Sequence, residues 1–475
     1  LTGLRDAALI CGLAGLFYLY RLCSLVAPPG AALIATAVAG FSMPLLPYLH
    51  LFYMESFLFT LICYVWFRLQ QPERSGGSEL ATALLILTIP FVHIRAAAIA
   101  LTLFGLQLRR LHAGGNTRLA AALIALAAAI GIGFIALNLF IYGGIIGPVM
   151  TAHRPPLLAP FSFLAMQLFN VHHGLLAYAP VWLIGFAGLW LGLARGPSLA
   201  REAFLLSVIA ALTSIGVDAG ESWPARYWVQ IVPMLAVGFC IWWSVADRLV
   251  LRSLAIVLVA FTLLNTILFF ASPNDFLENR QSTRTYQTLF DRFGHVDFGL
   301  ILPVDIDDEP NRNAARNMAI LAGLSVAFAA VAAARRRSIY AVVPFLTIAA
   351  VIDLARVSIV PPADYHATMA PDRLTVDLDS PADVVYLQLG HYWQEWHGSL
   401  FGKQFVLTTT GDGGRFQTTI SANQVVGASC TENIRSIALE SPNGFEIGSQ
   451  AAYRLVAYRS NSLLRTHLPF LREHC

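Results

Sequence analysis

The chain has 475 residues, 57% of them hydrophobic and 12% charged, with a mean hydropathy of +0.63. That balance excludes a soluble globular domain of ordinary composition and marks a polytopic, α-helical membrane protein. The net charge of +3 is small and dispersed, and its basic residues are almost all Arg, with Lys403 the only Lys, so no nucleic-acid partner is read.

There is no initiator Met, and Leu1-Thr-Gly-Leu-Arg-Asp6 lacks the pattern of a signal peptide, so the numbered chain is expected to start inside a longer protein. Apolar runs broken at Pro, Gly and charge predict about twelve membrane helices, near 7–20, 31–43, 51–68, 79–92, 95–108, 119–141, 176–194, 202–217, 227–246, 253–271, 317–334 and 339–360. Several are shorter than the ~20 residues of a full span and must tilt, extend or stop part-way. With these helices Arg68 and Arg74, Arg109, Arg110 and Arg118, Arg195 and Arg201, Arg248 and Arg252, and Arg335 to Arg337 all fall on one side. The positive-inside rule makes that side the cytoplasm. The opposite, outer side then receives loops 142–175 and 272–316, the Asp218–Arg226 turn and everything after about Pro361.

After residue 360 the periodicity changes to short alternating runs, Arg373–Leu378, Val384–Leu389, Gln404–Thr410 and Tyr453–Tyr458, with a hairpin turn at Gly411-Asp-Gly-Gly. The expected organisation is thus a transmembrane domain over 1–360 and a small β-rich periplasmic domain over 361–475. Of the six cysteines, Cys11, Cys23, Cys63 and Cys240 lie in or beside apolar runs, where buried free thiols are ordinary, and Cys430 and Cys475 lie in the tail, where a disulfide is open if the tail is extracytoplasmic.

The stretch Tyr142–Pro180 is too polar and too broken to cross a bilayer, yet it lies between segments that do. Its glycines turn the chain, Pro155, Pro156 and Pro160 interrupt any through-going helix, and His153, Arg154, His172 and His173 set polar chemistry beside an apolar run. Adjacent histidines on a helix diverge, so His172-His173 is a poor chelate, although a divalent metal stays open as a cofactor. Glu55 sits inside an apolar run, either facing a polar cavity or bonding a neighbouring helix. His93 and Arg95 mark the tip of a helical hairpin, with phosphate, lipid headgroups or a loop carboxylate as the anion Arg95 requires. Asp218, Glu221, Arg226 and Tyr227 gather in one short turn, suited to sugar and phosphate or else to a capped turn in an aromatic belt. The acidic run Asp305-Ile-Asp-Asp-Glu309 reads as a solvated loop or a calcium site, and His391, Trp393, Trp396 and His397 as a β-domain core or a carbohydrate surface.

Four pieces, in order, carry a family resemblance: Ser42-Met-Pro-Leu leading to Met54-Glu55, the His93-Ile-Arg95 tip, Gly174-Leu-Leu-Ala-Tyr-Ala-Pro180, and Trp223-Pro-Ala-Arg226-Tyr227 with Val232-Pro233. Over roughly residues 1–270 the arrangement resembles the GT-C superfamily of membrane glycosyltransferases, which includes protein mannosyltransferases and the aminoarabinose transferase of lipid A. The resemblance implies transfer of a sugar from a polyprenyl-phosphate donor to a glycan, lipid or protein acceptor on the outer face. It also implies an acidic catalytic base in a first outer loop, which here would precede Leu1. Arg95 and Arg226 are then candidates for phosphate, and Glu55, Asp218 and Glu221 for sugar or acceptor. A transporter or flippase of lipid-linked glycan, or an envelope assembly scaffold, is the competing class; polar residues clustered at one face and the absence of repeated halves favour the enzyme.

Overall fold

The computed structural model describes residues 2–50, 53–72, 75–144, 160–170, 174–214, 225–246, 249–271, 309–335, 342–354, 357–360, 364–370, 372–389, 404–412, 414–421, 426–440 and 453–461. The chain divides into two compact units, one of residues 1–271 and 315–345, the other of 272–314 and 346–475.

The first unit is helical: α1 Thr2–Cys23, α2 Pro29–Gly40, α3 Leu45–His50, α4 Met54–Leu69, α5 Gly76–Val92, α6 Ala97–Ala113, α7 Thr117–Tyr142, α8 Pro160–Phe169, α9 Leu175–Tyr178, α10 Trp182–Arg195, α11 Ser198–Ser214, α12 Val232–Val245 and α13 Leu249–Ala271. Two 3-10 turns, Ile94–Ala96 and Arg226–Ile231, precede α6 and α12. Helices α14 Glu309–Arg335 and α15 Val342–Leu354 follow, each divided by a unit boundary. Among the described residues four stretches are long and apolar enough to cross a membrane, Asp6–Cys23, Thr117–Tyr142, Trp228–Val245 and Leu249–Ile267, and shorter apolar helices accompany them. Exposed aliphatic and aromatic side chains such as Ile132, Phe140 and Ile267 cover their outward faces, as a lipid-facing surface requires.

The expected helix over 176–194 is divided, and proline accounts for the break. The run expected over 51–68 is preceded by a separate short helix, α3, which begins just after Pro44. The run over 176–194 is interrupted at Ala179-Pro180 between α9 and α10. Broken backbone among apolar helices must find partners, and α13 supplies them. Thr262 Oγ1 accepts from the Val181 N–H at 3.2 Å, Asn265 Nδ2 donates to the Tyr178 carbonyl at 2.9 Å, and Thr266 Oγ1 donates to the Phe41 carbonyl at 2.8 Å. The polar residues of an otherwise apolar helix are thereby explained.

Two features fix how the helices stand. Where α10 crosses α12, glycine faces glycine: a Cβ on Gly188 would overlap the Gly238 carbonyl, and one on Gly238 would overlap the Gly185 carbonyl. Only residues without a side chain let the backbones approach this closely. At the end of the bundle formed by the C-termini of α4 and α6 and the N-terminus of α11, the buried Glu202 is a junction. It accepts from Trp66 Nε1 at 3.1 Å and Gln70 Nε2 at 2.8 Å through one oxygen, and from Arg110 Nη2 at 3.2 Å through the other. Nearby, Gln107 Nε2 donates to the Glu79 carboxylate at 2.7 Å and to its carbonyl at 2.9 Å, joining α5 to α6. Sequence reasoning did not anticipate this polar clamp, of whose members only Arg110 stood out, as one of the cytoplasmic arginines.

The second unit contains an antiparallel sheet of β1 Val357–Ile359, β2 Tyr365–Ala370, β3 Arg373–Leu389, β4 Gln404–Gly411, β5 Gly414–Ser421, β6 Val426–Glu440 and β7 Tyr453–Ser460. The order is β1-β7-β3-β6-β4-β5, with β2 paired to β3. Alternate residues Leu374, Val376 and Leu378, Phe405 and Leu407, and Ile437 and Leu439 bury one face. The Gly411 turn closes the β4–β5 hairpin as expected, Gly411 pairing with Gly414 at φ +103°. The runs at 373–378 and 384–389 prove to be one strand with a register shift between Asp377 and Ala382, where Pro381 interrupts the ladder. Strand β1 begins before the boundary expected at 361 because β-branched Val357 and Ile359 pair with β7.

Candidate functional site

Four of the residues singled out in the sequence come together, and each arrives on a different element. Glu55 lies in the first turn of α4, His93 caps the C-terminus of α5, Arg95 lies in the first 3-10 turn, and Arg226 opens the second. Helix α11 packs against both 3-10 turns, and α4 packs against the second. The clamp at Glu202 holds α4, α6 and α11 at their opposite ends. A 16-residue α4 sets clamp and cluster about 20 Å apart at 1.5 Å per residue.

Glu55 is 3% exposed, and its Oε1 accepts from Arg226 Nε in an ion pair. Its other oxygen, Oε2, is buried with no hydrogen-bond partner among the described residues. The Arg226 guanidinium lies over the Tyr53 ring at 5.2 Å, and Tyr53 meets Tyr48 edge to face at 5.6 Å. A planar cation held by a carboxylate and an aromatic face is fixed in orientation, so its remaining N–H groups are aimed rather than free to sweep. Ala225, at φ +58°, turns the chain in the left-handed region immediately before Arg226. Trp228, in the same turn, donates from Nε1 to the Gln167 carbonyl at 3.0 Å and so ties α8 of the Tyr142–Pro180 stretch to the site.

His93 Nδ1 accepts from the Arg95 backbone N–H at 3.3 Å. The ring proton of the neutral imidazole therefore belongs on Nε2, which is left as a donor. Burial holds the His93 pKa below its ordinary 6.5, Arg95 and Arg226 push it the same way, and Glu55 opposes them. The Glu55–Arg226 ion pair, the Arg95–His93 hydrogen bond and the packing of α11 against both 3-10 turns set the four residues at the same end of the bundle. A histidine whose folded pKa is depressed costs stability when protonated, so stability should fall as pH drops from 6.5 through the lowered value. Unfolding midpoints measured from pH 8 to 5 should slope downward on the acid side, and His93→Gln should remove that part of the slope.

The remaining expectations fall elsewhere. His153, Arg154, His172, His173, Asp218 and Glu221 lie outside the described residues, as do the Asp305–Asp308 run, His391, Trp393, Trp396, His397 and Cys475. Tyr227 is placed by its backbone in the 3-10 turn, its side chain outside the described residues, and Cys430 likewise stands in β6. Among the described residues no group of three His, Cys, Asp or Glu side chains gathers to hold a metal. Asn138 on α7, which sequence reasoning passed over, is 7% exposed with its Nδ2 lacking a partner among the described residues. Its signal was available: it is the only strongly polar side chain between Leu119 and Tyr142.

No family model matches the chain, and no curated protein does. Among solved structures it is similar to ArnT from Cupriavidus metallidurans in the apo state, at 16% identity and a TM-score of 0.38, over 72% of this chain. The chain spans 60% of the length of that one.

Proposed function

We propose that the chain is a membrane glycosyltransferase of the GT-C type, moving a sugar from a polyprenyl-phosphate donor to an acceptor on the outer face of a bacterial cytoplasmic membrane. The observation that carries this reading is the convergence of Glu55, His93, Arg95 and Arg226 from four elements at one end of an apolar bundle. Charges are costly among apolar helices, and a cluster assembled from separate elements at a helix end suits a ligand whose tail stays in lipid and whose charged head lies at the interface. Arginine clusters at the opposite helix ends support an outer position for this one.

In the reaction, the acceptor hydroxyl oxygen bonds to the anomeric carbon as the bond from that carbon to the phosphate oxygen breaks. Negative charge grows on the departing polyprenyl phosphate, and Arg95 and Arg226 stabilise it. Neutral His93 donates from Nε2. Glu55 orients Arg226 through Oε1 and offers Oε2 to a sugar hydroxyl. The hydroxyl proton passes to a carboxylate base, as the family resemblance implies. Asp218, Glu221, Tyr227, His153, Arg154, His172 and His173 belong to the same proposed site as its walls, and the β-rich unit to the acceptor or a partner.

The test is transfer of radiolabelled sugar from a panel of polyprenyl-phosphate donors by the full-length protein. Arg95→Ala should lower the rate by about 100-fold, the usual loss when one preorganised electrostatic group is removed. Full activity in both Arg95→Ala and Arg226→Ala would eliminate the phosphate assignment. Inactivity towards every donor would favour a transporter or scaffold.

A further inference from the structure

The geometry points to Asn138 as an additional ligand-binding residue of the outer cluster, donating its side-chain amide to an oxygen of the bound lipid-linked phosphate. The inference rests on the reading of that cluster as a donor site. Helix α7 is apolar along its length, and only 11% of its span is buried. Leu123 and Asn138 are its buried residues. A lone amide would be expected on the packed face of such a helix only with a partner, since an unsatisfied buried donor is destabilising. Asn138 Nδ2 has no hydrogen-bond partner among the described residues.

Its position relates it to the cluster. Helix α7 packs against α5 and α6, the two helices that flank the His93–Arg95 tip. Phe134 meets Phe91 edge to face, with ring centroids 4.8 Å apart. Asn138 is one turn beyond Phe134 on the same face of α7, about 6 Å further along the axis. His93 is two residues beyond Phe91 in the same direction. The amide is therefore level with the tip that carries His93 and Arg95. A neutral donor there complements the cations: it adds a directed bond to oxygen without adding charge, and so favours a polyoxygenated ligand over a hydrocarbon tail.

Asn138→Leu keeps the branched heavy-atom shape of the side chain, slightly enlarged, and removes the amide, and Asn138→Gln keeps an amide on a longer stem. With undecaprenyl phosphate as the probe, binding to detergent-solubilised full-length protein and the unfolding midpoint without probe are measured for wild type and both variants. Asn138→Leu should retain or raise the midpoint, because an unsatisfied polar group leaves an apolar interface, while its affinity for the probe falls about tenfold. Asn138→Gln should recover part of that affinity. A lowered midpoint in Asn138→Leu with unchanged affinity would make the residue structural and overturn the inference. Wild-type affinity in Asn138→Leu would overturn it alone, whereas failure of the wild type to bind the probe would overturn the donor-site reading and this inference together.

Discussion

Arg226→Ala should be the most damaging single substitution in the cluster, lowering stability by about 3–5 kcal/mol, because it strands a carboxylate that is buried on every side. Glu55 is 4% exposed at its side chain and Arg226 is 27% exposed, so the two halves of the ion pair are not equivalent. Glu55→Gln leaves an oxygen to accept from Arg226 Nε and a guanidinium that still reaches the surface and the Tyr53 ring. Its cost should be about 1–2 kcal/mol. The double variant Glu55→Gln with Arg226→Ala should therefore be more stable than Arg226→Ala alone, a reversal that appears only if the damage is the stranded charge. Thermal unfolding of the three variants in one detergent checks this. Equal losses for Arg226→Ala and the double variant would mean that Glu55 is not held as a carboxylate by Arg226.

The second large effect is expected far from any charge. Gly238→Ala and Gly188→Ala should each cost on the order of 3 kcal/mol or more, since a new methyl must displace backbone rather than a flexible side chain. The atoms in the way are the Gly185 and Gly238 carbonyls. Helix α12 follows directly on the Arg226–Ile231 turn, so separating α10 from α12 also shifts the guanidinium. Sugar transfer should fall together with stability in these variants. Gly131→Ala is the internal control: nothing lies within 4 Å of its added Cβ, and it should stabilise α7 by about 0.5–1 kcal/mol. Unchanged unfolding of Gly238→Ala would show that the helices can part without cost.

How far the sequence could be read depended on the kind of signal. Helix positions followed from apolar runs, because a run bounded by Pro, Gly or charge is a one-dimensional property. Breaks inside those runs did not, since Pro180 is compatible with either a bend or a stop until Thr262 and Asn265 are known to satisfy the freed backbone. Glu55, Arg95 and Arg226 stood out because charge in an apolar context is conspicuous, but their meeting depends on helices far apart in the chain. Pairing Glu55 with Arg226 was invisible for the same reason, and it changes the chemistry: Arg226 is an oriented, partly neutralised donor rather than a free cation. Glu202 was missed because it sits among Arg201 and Ser198 at a helix start, where an acidic residue is ordinary. Asn138 was missed because one amide in a long apolar helix is a weak signal beside charged residues. In the sheet, the hairpin at Gly411 was legible from local turn chemistry, while β1 and β2 needed their partners to be recognised.

On the proposed function, the Glu55, His93, Arg95 and Arg226 cluster holds the phosphate of a lipid-linked sugar. A polyprenyl phosphate carrying a diazirine on the carbon nearest the phosphate tests it most directly, with the labelled peptides mapped by mass spectrometry after irradiation in membranes. Label should concentrate on peptides spanning Tyr53–Ser56, His93–Ala96 and Arg226–Ile231, and unlabelled polyprenyl phosphate should compete it away. Label confined to the lipid-facing side of α7 or α13, and insensitive to that competitor, would contradict the account.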